Sequence, residues 1–301
     1  MLEIIIYLFA IQLVLPVMFI YSLWKKAFQS KLEWFIQMLS TTLIIVWLFQ
    51  TGSWDWIGYY LRYIELVLLI VAVYRSWKKT RTLPFRTTFS GTQKMSIGIY
   101  VVLILIIGIY NVFVFSSYTS QEEAIELSFP LKNGIYYVGH GGSHVQMNYH
   151  SSYPPQKYAL DIVKLNRFGT RANGLYPQNL EKYAIYGDAL YSPCDGEVVE
   201  VRDRLPDLTP PNTDHENPEG NYVALTCENV DAVIFIAHMK TGSIMVSKGA
   251  KVQEGQQIGN VGNSGNTTEP HLHIHAERDG KGVPIRFDGR FLVWNQLVWL
   301  N

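Results

Sequence analysis

Apolar positions crowd the first part of this chain and thin out after it. Four mainly hydrophobic runs occupy residues 4–24, 34–49, 57–74 and 95–115, and the remainder is polar and punctuated by Gly and Pro. A helix needs about 20 mostly apolar residues to cross the hydrocarbon core of a bilayer. The pattern therefore predicts four membrane-spanning helices. The second run is the shortest. The third carries Arg62 and Glu65, one helical turn apart, and is expected to hold them as an interfacial ion pair near the helix start.

Charge between the runs gives the expected orientation. Lys25, Lys26 and Lys31 lie between the first and second runs, and Arg75, Lys78, Lys79, Arg81, Arg86 and Lys94 between the third and fourth. The segment around Gly52 and Asp55 has no Lys or Arg. The positive-inside rule places both basic loops in the cytoplasm, and hence the N-terminus and everything after the fourth run outside. Trp24, Trp34, Trp54, Trp56 and Trp77 fall near the run ends, as interfacial aromatics do. The first run lacks a basic flank and a small-residue cleavage pattern, so it reads as a retained helix rather than a signal peptide.

Periodicity changes after residue 118. A polar connector covers 118–133. Residues 197–202 and 221–227 alternate, 232–237 form a short apolar run, and turn residues separate them. The fold expected is an N-terminal all-α four-span membrane domain (1–117), the connector, and a mainly antiparallel β domain (134–301). A loop rich in Pro, Asp and Asn, 205–220, is either a groove wall or a mobile excursion; His215 within it reads as a solvated loop residue. The whole chain has a formal net charge of zero and is 48% hydrophobic, which leaves no basic footprint for nucleic acid.

The chemistry concentrates in the β half. His271, His273 and His275 alternate along one segment, and residues two apart on a strand share a face. Imidazoles so arranged need partners for both ring nitrogens, which a zinc site supplies: catalytic zinc takes three protein ligands and leaves a fourth position for water. Asp161 sits inside an apolar strand-like segment, where a carboxylate must be paired or metal-bound. Upstream, residues 139–150 supply His140, His144 and His150. His238 ends the apolar run 234–238. Cys194 and Cys227 are the only cysteines. Two buried free thiols are expected of them, with a disulfide as the alternative if 197–202 pairs antiparallel with 221–227.

Tyr191-Ser-Pro-Cys-Asp-Gly-Glu-Val198, Gly220-Asn-Tyr-Val223, Ile236-Ala-His238, the Gly-rich run 246–262 and Pro270-His-Leu-His273 together resemble the lysostaphin-type, or LytM-like, zinc endopeptidases, which cut peptidoglycan peptides. The likeness covers the C-terminal half only. It implies a lysostaphin-like fold with one zinc ion per chain. It makes His273 and Asp161 metal ligands, His271 the general base and His238 the stabiliser of the oxyanion. The family's first His ligand stands four residues before its Asp, and Lys157 occupies that position here. His150 is the nearest replacement, with His140 and His144 as alternatives. His275 then reads as a neighbour of the ligands or a packing residue. The resemblance implies a zinc endopeptidase acting on cell-wall peptides, and the apolar runs and loop charges make it membrane-anchored and extracytoplasmic; the alternatives are a non-catalytic peptidoglycan-binding or hydrolase-activating relative, and a membrane sensor with a ligand-recognising outer domain.

Overall fold

In a computed structural model, which describes residues 2–300, the chain divides into two units. The outermost residues of the expected first and last segments, Met1 and Asn301, lie outside the described residues. One unit holds the chain up to Trp54 together with Tyr59–Phe115; the other holds Asp55–Gly58 and everything from Ser116 onward.

The first unit is helical. Helix α1 (Leu2–Phe9) runs through a π-helical turn (Ala10–Val14) into α2 (Leu15–Lys25). Then come α3 (Lys31–Thr51), the single turn α4 (Trp54–Ile57), α5 (Leu61–Thr80) and α6 (Gly91–Ser116). Ser30 begins α3 as an N-cap: its hydroxyl accepts from the Glu33 amide (3.2 Å), while the Glu33 carboxylate accepts from the Gln29 amide (2.9 Å). This satisfies donors that a helix start leaves open. Ile20, Leu23, Trp34, Ile45, Leu69 and Ala72 form one apolar cluster, and the Trp34 indole donates to the Ser76 hydroxyl at 2.9 Å.

Among the described residues, three helices are long and apolar enough to cross a membrane: Ile5–Lys25, Lys31–Thr51 and Gly91–Ser116. The third of the four expected spans forms a helix of ample length in α5, but it carries Arg62, Glu65, Arg75, Lys78 and Lys79 and falls short in hydropathy. Arg62 and Glu65 are both buried. The Arg62 guanidinium lies 3.7 Å from the Phe49 ring centre and 4.8 Å from that of Tyr59.

The second unit is mainly antiparallel β, as its alternating pattern predicts. Its strands are β1 (Ile125–Leu127), β2 (Gly134–His140), β3 (Leu160–Leu165), β4 (Ala189–Tyr191), β5 (Gly196–Arg202), β6 (Asn221–Cys227) and β7 (Val233–Met239), followed by β8 (Lys251–Val252), β9 (Gln257–Asn260), β10 (Leu272–Arg278), β11 (Lys281–Val283), β12 (Ile285–Phe287), β13 (Arg290–Phe291) and β14 (Leu297–Leu300). The main sheet runs β14-β2-β3-β10-β7-β6-β5-β8, with β11 also paired to β10. Alternation sorts its side chains. Leu160 and Ile162 of β3, Leu272 and Ile274 of β10, Ile234 and Ile236 of β7, and Val223 and Leu225 of β6 bury themselves in one continuous core. Their neighbours along each strand face the other way.

Cys194 and Cys227 are joined in a disulfide, with Cα atoms 5.7 Å apart, which corrects the expectation of free thiols. The cause is register: β5 pairs antiparallel with β6 so that Gly196 lies opposite Cys227. That brings Cys194, two residues earlier, within bridging distance.

Candidate metal centre

Three adjacent strands build the site from their non-core face. His273 of β10 lies opposite Asp161 of β3 on one side and Ala237 of β7 on the other. Both side chains point away from the Leu-Ile core because Leu272 and Ile274, flanking His273, point into it. Two β-bulges lie beside this row. On β2 the register shifts between Val138 and His140, next to Asp161. On β7 two residues, Ala237 and His238, oppose the single Tyr222 of β6. His238 there has φ +58°, a left-handed conformation that non-glycine residues seldom adopt. Its amide donates to the Glu219 carbonyl (3.0 Å). A bulge re-aims the side chain it carries, and here the His238 ring lies 4.9 Å from that of His271 and 5.5 Å from that of His273, centre to centre.

His150 arrives from outside the sheet. Residues Tyr149–Ser152 form a 3-10 turn capped by Asn148, whose side-chain oxygen accepts from the His150 amide (3.2 Å). The Asn148 amide in turn donates to the carbonyls of Gly142 (3.0 Å) and Ala159 (2.9 Å), anchoring the turn against the start of β3. His150 Nε2 is 3.0 Å from Asp161 Oδ2, and His273 Nδ1 is 2.9 Å from Asp161 Oδ1. Of the three upstream candidates, His150 is the one brought into this group. His140 packs edge-on to Tyr149, and His144 Nδ1 lies 3.3 Å from the Gln146 amide as its acceptor. Lys157, which stands at the family's usual ligand position, instead pairs with Glu122 at 2.7 Å.

Ligand atoms of His150, Asp161 and His273 all lie within 4.8 Å of one another, and so do those of His238, His271 and His273. His271 Nε2 is 3.4 Å from Asp161 Oδ1 and is buried without a hydrogen bond. Two imidazole nitrogens and a carboxylate converge at one point while a further ring nitrogen stays orphaned beside them. These donors fit a divalent zinc ion with an open position.

Hydrogen bonding sets which ring nitrogens face the site. His271 Nδ1 lies 2.9 Å from the Glu269 carbonyl, and His238 Nδ1 lies 2.9 Å from the Ser264 carbonyl. A carbonyl only accepts, so in both rings Nδ1 carries the hydrogen and Nε2 presents a lone pair. His273 Nε2 meets His275 Nδ1 at 3.0 Å, and His275 stacks on Phe235 with ring centres 4.8 Å apart. His275 therefore stands behind the group rather than in it.

Electrostatics follows the geometry. Burial lowers the His238 pKa well below the ordinary value, and the His271 and His273 rings beside it push the same way. Burial acts against protonated His271 too, but Asp161 outweighs it and the His271 pKa ends up raised. Burial works against ionised Asp161 as well, and His150 and His271 overcome it, holding that carboxyl well below the usual range.

A cleft of about 280 Å³ opens onto the group, lined by Tyr149, Tyr153, Glu219, Asn266, His238 and His273. Pro218 and Glu219 also border it, so the end of the long 205–220 segment serves as a wall. His215, in the same segment, is exposed and 3.2 Å from the Thr213 hydroxyl. Sequence reasoning missed Tyr149, whose hydroxyl lies 3.5 Å from Asp161 Oδ2. It also missed Arg171, which reaches Glu269 at 2.8 Å. Neither lies in a motif.

Residues 181–285 match the model of Peptidase family M23. The matched span contains His238, His271 and His273, while His150 and Asp161 precede it. Peptidoglycan DD-endopeptidase ShyA of Vibrio cholerae is 35% identical over 108 residues, which are 36% of this chain and 22% of that protein. The chain thus spans about a fifth of the length of this relative. Among solved structures, a zinc-containing peptidase from Vibrio cholerae aligns with 21% identity and a TM-score of 0.33, over 54% of this chain and 39% of the other. The catalytic domain of lysostaphin from Staphylococcus simulans aligns with 23% identity and a TM-score of 0.23, over 35% and 75%. Over residues 181–285 the chain is thus similar to Peptidase family M23.

Proposed function

We propose that the protein is a membrane-anchored zinc endopeptidase that hydrolyses peptide bonds in peptidoglycan stem peptides or cross-bridges outside the cytoplasmic membrane. One observation carries the reading: His150, Asp161 and His273 converge while His271 presents Nε2 beside them, 3.4 Å from Asp161 Oδ1 and without a hydrogen bond. Zinc held by those three residues would polarise the scissile carbonyl and acidify a water molecule. His271 is the general base. Its Nδ1–H is held by the Glu269 carbonyl, so its free Nε2 takes the proton of the attacking water and returns it to the leaving amine. His238 faces the same cleft with a lone pair on Nε2; it becomes a donor to the developing oxyanion only once protonated. His275 holds the outer nitrogen of His273 and so fixes its ring orientation.

Anchoring rests on the apolar helices. Ile5–Lys25, Lys31–Thr51 and Gly91–Ser116 are spans, and α5 is the fourth, its charges buried among neighbours or gathered at its basic end. With both basic loops in the cytoplasm the peptidase unit faces outward. The Cys194–Cys227 disulfide supports that side, because such bonds persist in oxidising compartments. The deciding experiment measures bound zinc in the purified full chain and its His273→Ala variant, then analyses peptidoglycan digests by mass spectrometry. Stoichiometric zinc and cleaved peptides in the wild type alone are expected. A wild type without zinc would sink the reading, and zinc without hydrolysis would favour the non-catalytic relative.

A further inference from the structure

Asp55–Gly58 is the one stretch from the first 115 residues that groups with the second unit. Its contacts there converge on Arg171. The Asp55 carboxylate accepts from Arg171 Nε, and the Asp55 carbonyl accepts from the Arg171 amide at 2.8 Å. The guanidinium lies 4.7 Å from the Trp56 ring centre, and Trp56 stacks on Tyr176 at 3.7 Å. Asp55 is fully buried and the Arg171 side chain is 10% exposed. From its other edge, Arg171 Nη1 reaches Glu269 Oε1 at 2.8 Å. The Glu269 carbonyl receives the Nδ1 hydrogen of His271.

Resting on the peptidase reading, we infer that Asp55, acting through Arg171 and Glu269, is a positioning residue for His271. A buried guanidinium forks rigidly between two carboxylates. One edge is held by Asp55, so the other places Glu269, and the Glu269 carbonyl sets both the tautomer and the aim of the His271 ring. The mechanism needs Nε2 aimed at the His150–Asp161–His273 group, where it lies 3.4 Å from Asp161 Oδ1, and this relay keeps it there. The catalytic unit is therefore completed by a segment that lies 61 residues before it begins at Ser116.

The test uses the full chain in detergent, as wild type, Asp55→Asn and Arg171→Lys, the last keeping the charge but losing the fork. Bound zinc, the KM-against-kcat split on peptidoglycan, and the ¹⁵N-histidine spectrum are measured, with the His271 signal assigned by difference from His271→Gln. Both variants are expected to keep zinc and to hold KM within about twofold. Their kcat should fall about 10²-fold, the cost of a misplaced reacting group, and the His271 Nδ1–H signature should weaken. A wild-type kcat with an unchanged His271 signal would overturn the inference. So would loss of zinc and of the folded chain in both variants, which would make the role purely structural. If the wild type proves inactive, the peptidase reading fails on its own, and the His271 spectrum still decides the positioning.

Discussion

Strand β10 presents Leu272, Ile274 and Ala276 to one side of the sheet and His273 and His275 to the other, all of them buried. Strands β3 and β7 repeat the division. Leu160, Ile162, Ile234 and Ile236 enter the core, while Asp161 joins His150 and His273 and Ala237 and Phe235 lie beside that group. Burial is thus nearly equal on the two faces, but its energetics is opposite. On the core face, removing apolar area from water is itself the stabilising term. On the other face, buried rings and a carboxylate cost free energy unless each polar atom finds a partner. The sheet supplies a stiff frame through one face and meets that cost on the other, where the unmet remainder is left for the proposed chemistry.

Several substitutions would break or sharpen this contrast. The largest effect is expected from His273→Ala, which should abolish stoichiometric zinc and lower hydrolysis at least about 10³-fold, about 4 kcal/mol of barrier; treating the wild type with a zinc chelator should reproduce it. If the variant also unfolds when both proteins are melted in chelator, the reactive face carries structure as well and the division is wrong. Next comes the disulfide, which edges the core face and closes a sequence separation of 33 residues. Replacing both cysteines by serine should cost roughly 3–4 kcal/mol in denaturant unfolding, with hydrolysis at 25 °C retained. His275→Phe keeps the packing on Phe235 but removes the partner of His273 Nε2. Its zinc affinity should drop about 10- to 100-fold, read by competition with a chromogenic chelator, with little change in melting. The smallest effect is expected from Ile274→Val, one methylene on the core face. It should lower stability by about 0.5–1.5 kcal/mol while leaving zinc content and kcat at wild-type values.

Much of this arrangement is legible in the chain. Alternation located β5 and β6, and a short apolar run located β7, within a residue or two, and the spacing of His271, His273 and His275 indicated a strand with a polar face. What composition cannot carry is register. That His273 stands opposite Asp161, and that Gly196 stands opposite Cys227, are facts about pairing between distant segments, so the cysteines read as thiols until their strands were aligned. His150 entered only as the histidine nearest upstream of Lys157, with His140 and His144 left open, because its placement depends on the turn that Asn148 caps. Asp55 offered no signal at all, since its partner lies 116 residues away and an acidic residue between two apolar runs looks like ordinary interfacial polarity. In α5 the apolar pattern forecast a helix of the right length, but hydropathy averaged over its charged ends did not reach that of the other three helices.

The extra residue at Ala237-His238 has a consequence for anyone who would transplant this centre. A graft of β3, β10 and β7 onto a regular sheet would keep the pairing of His273 with Asp161 yet send the side chain at 238 to the wrong side, because strand residues alternate without exception unless an inserted one breaks the count. The irregularity must travel with the donor strands, along with a neighbour able to accept the His238 amide, as the Glu219 carbonyl does here. By the same reasoning, deleting one residue from this stretch would be far more damaging than exchanging one, since it would shift the frame in which every later side chain of the strand is presented.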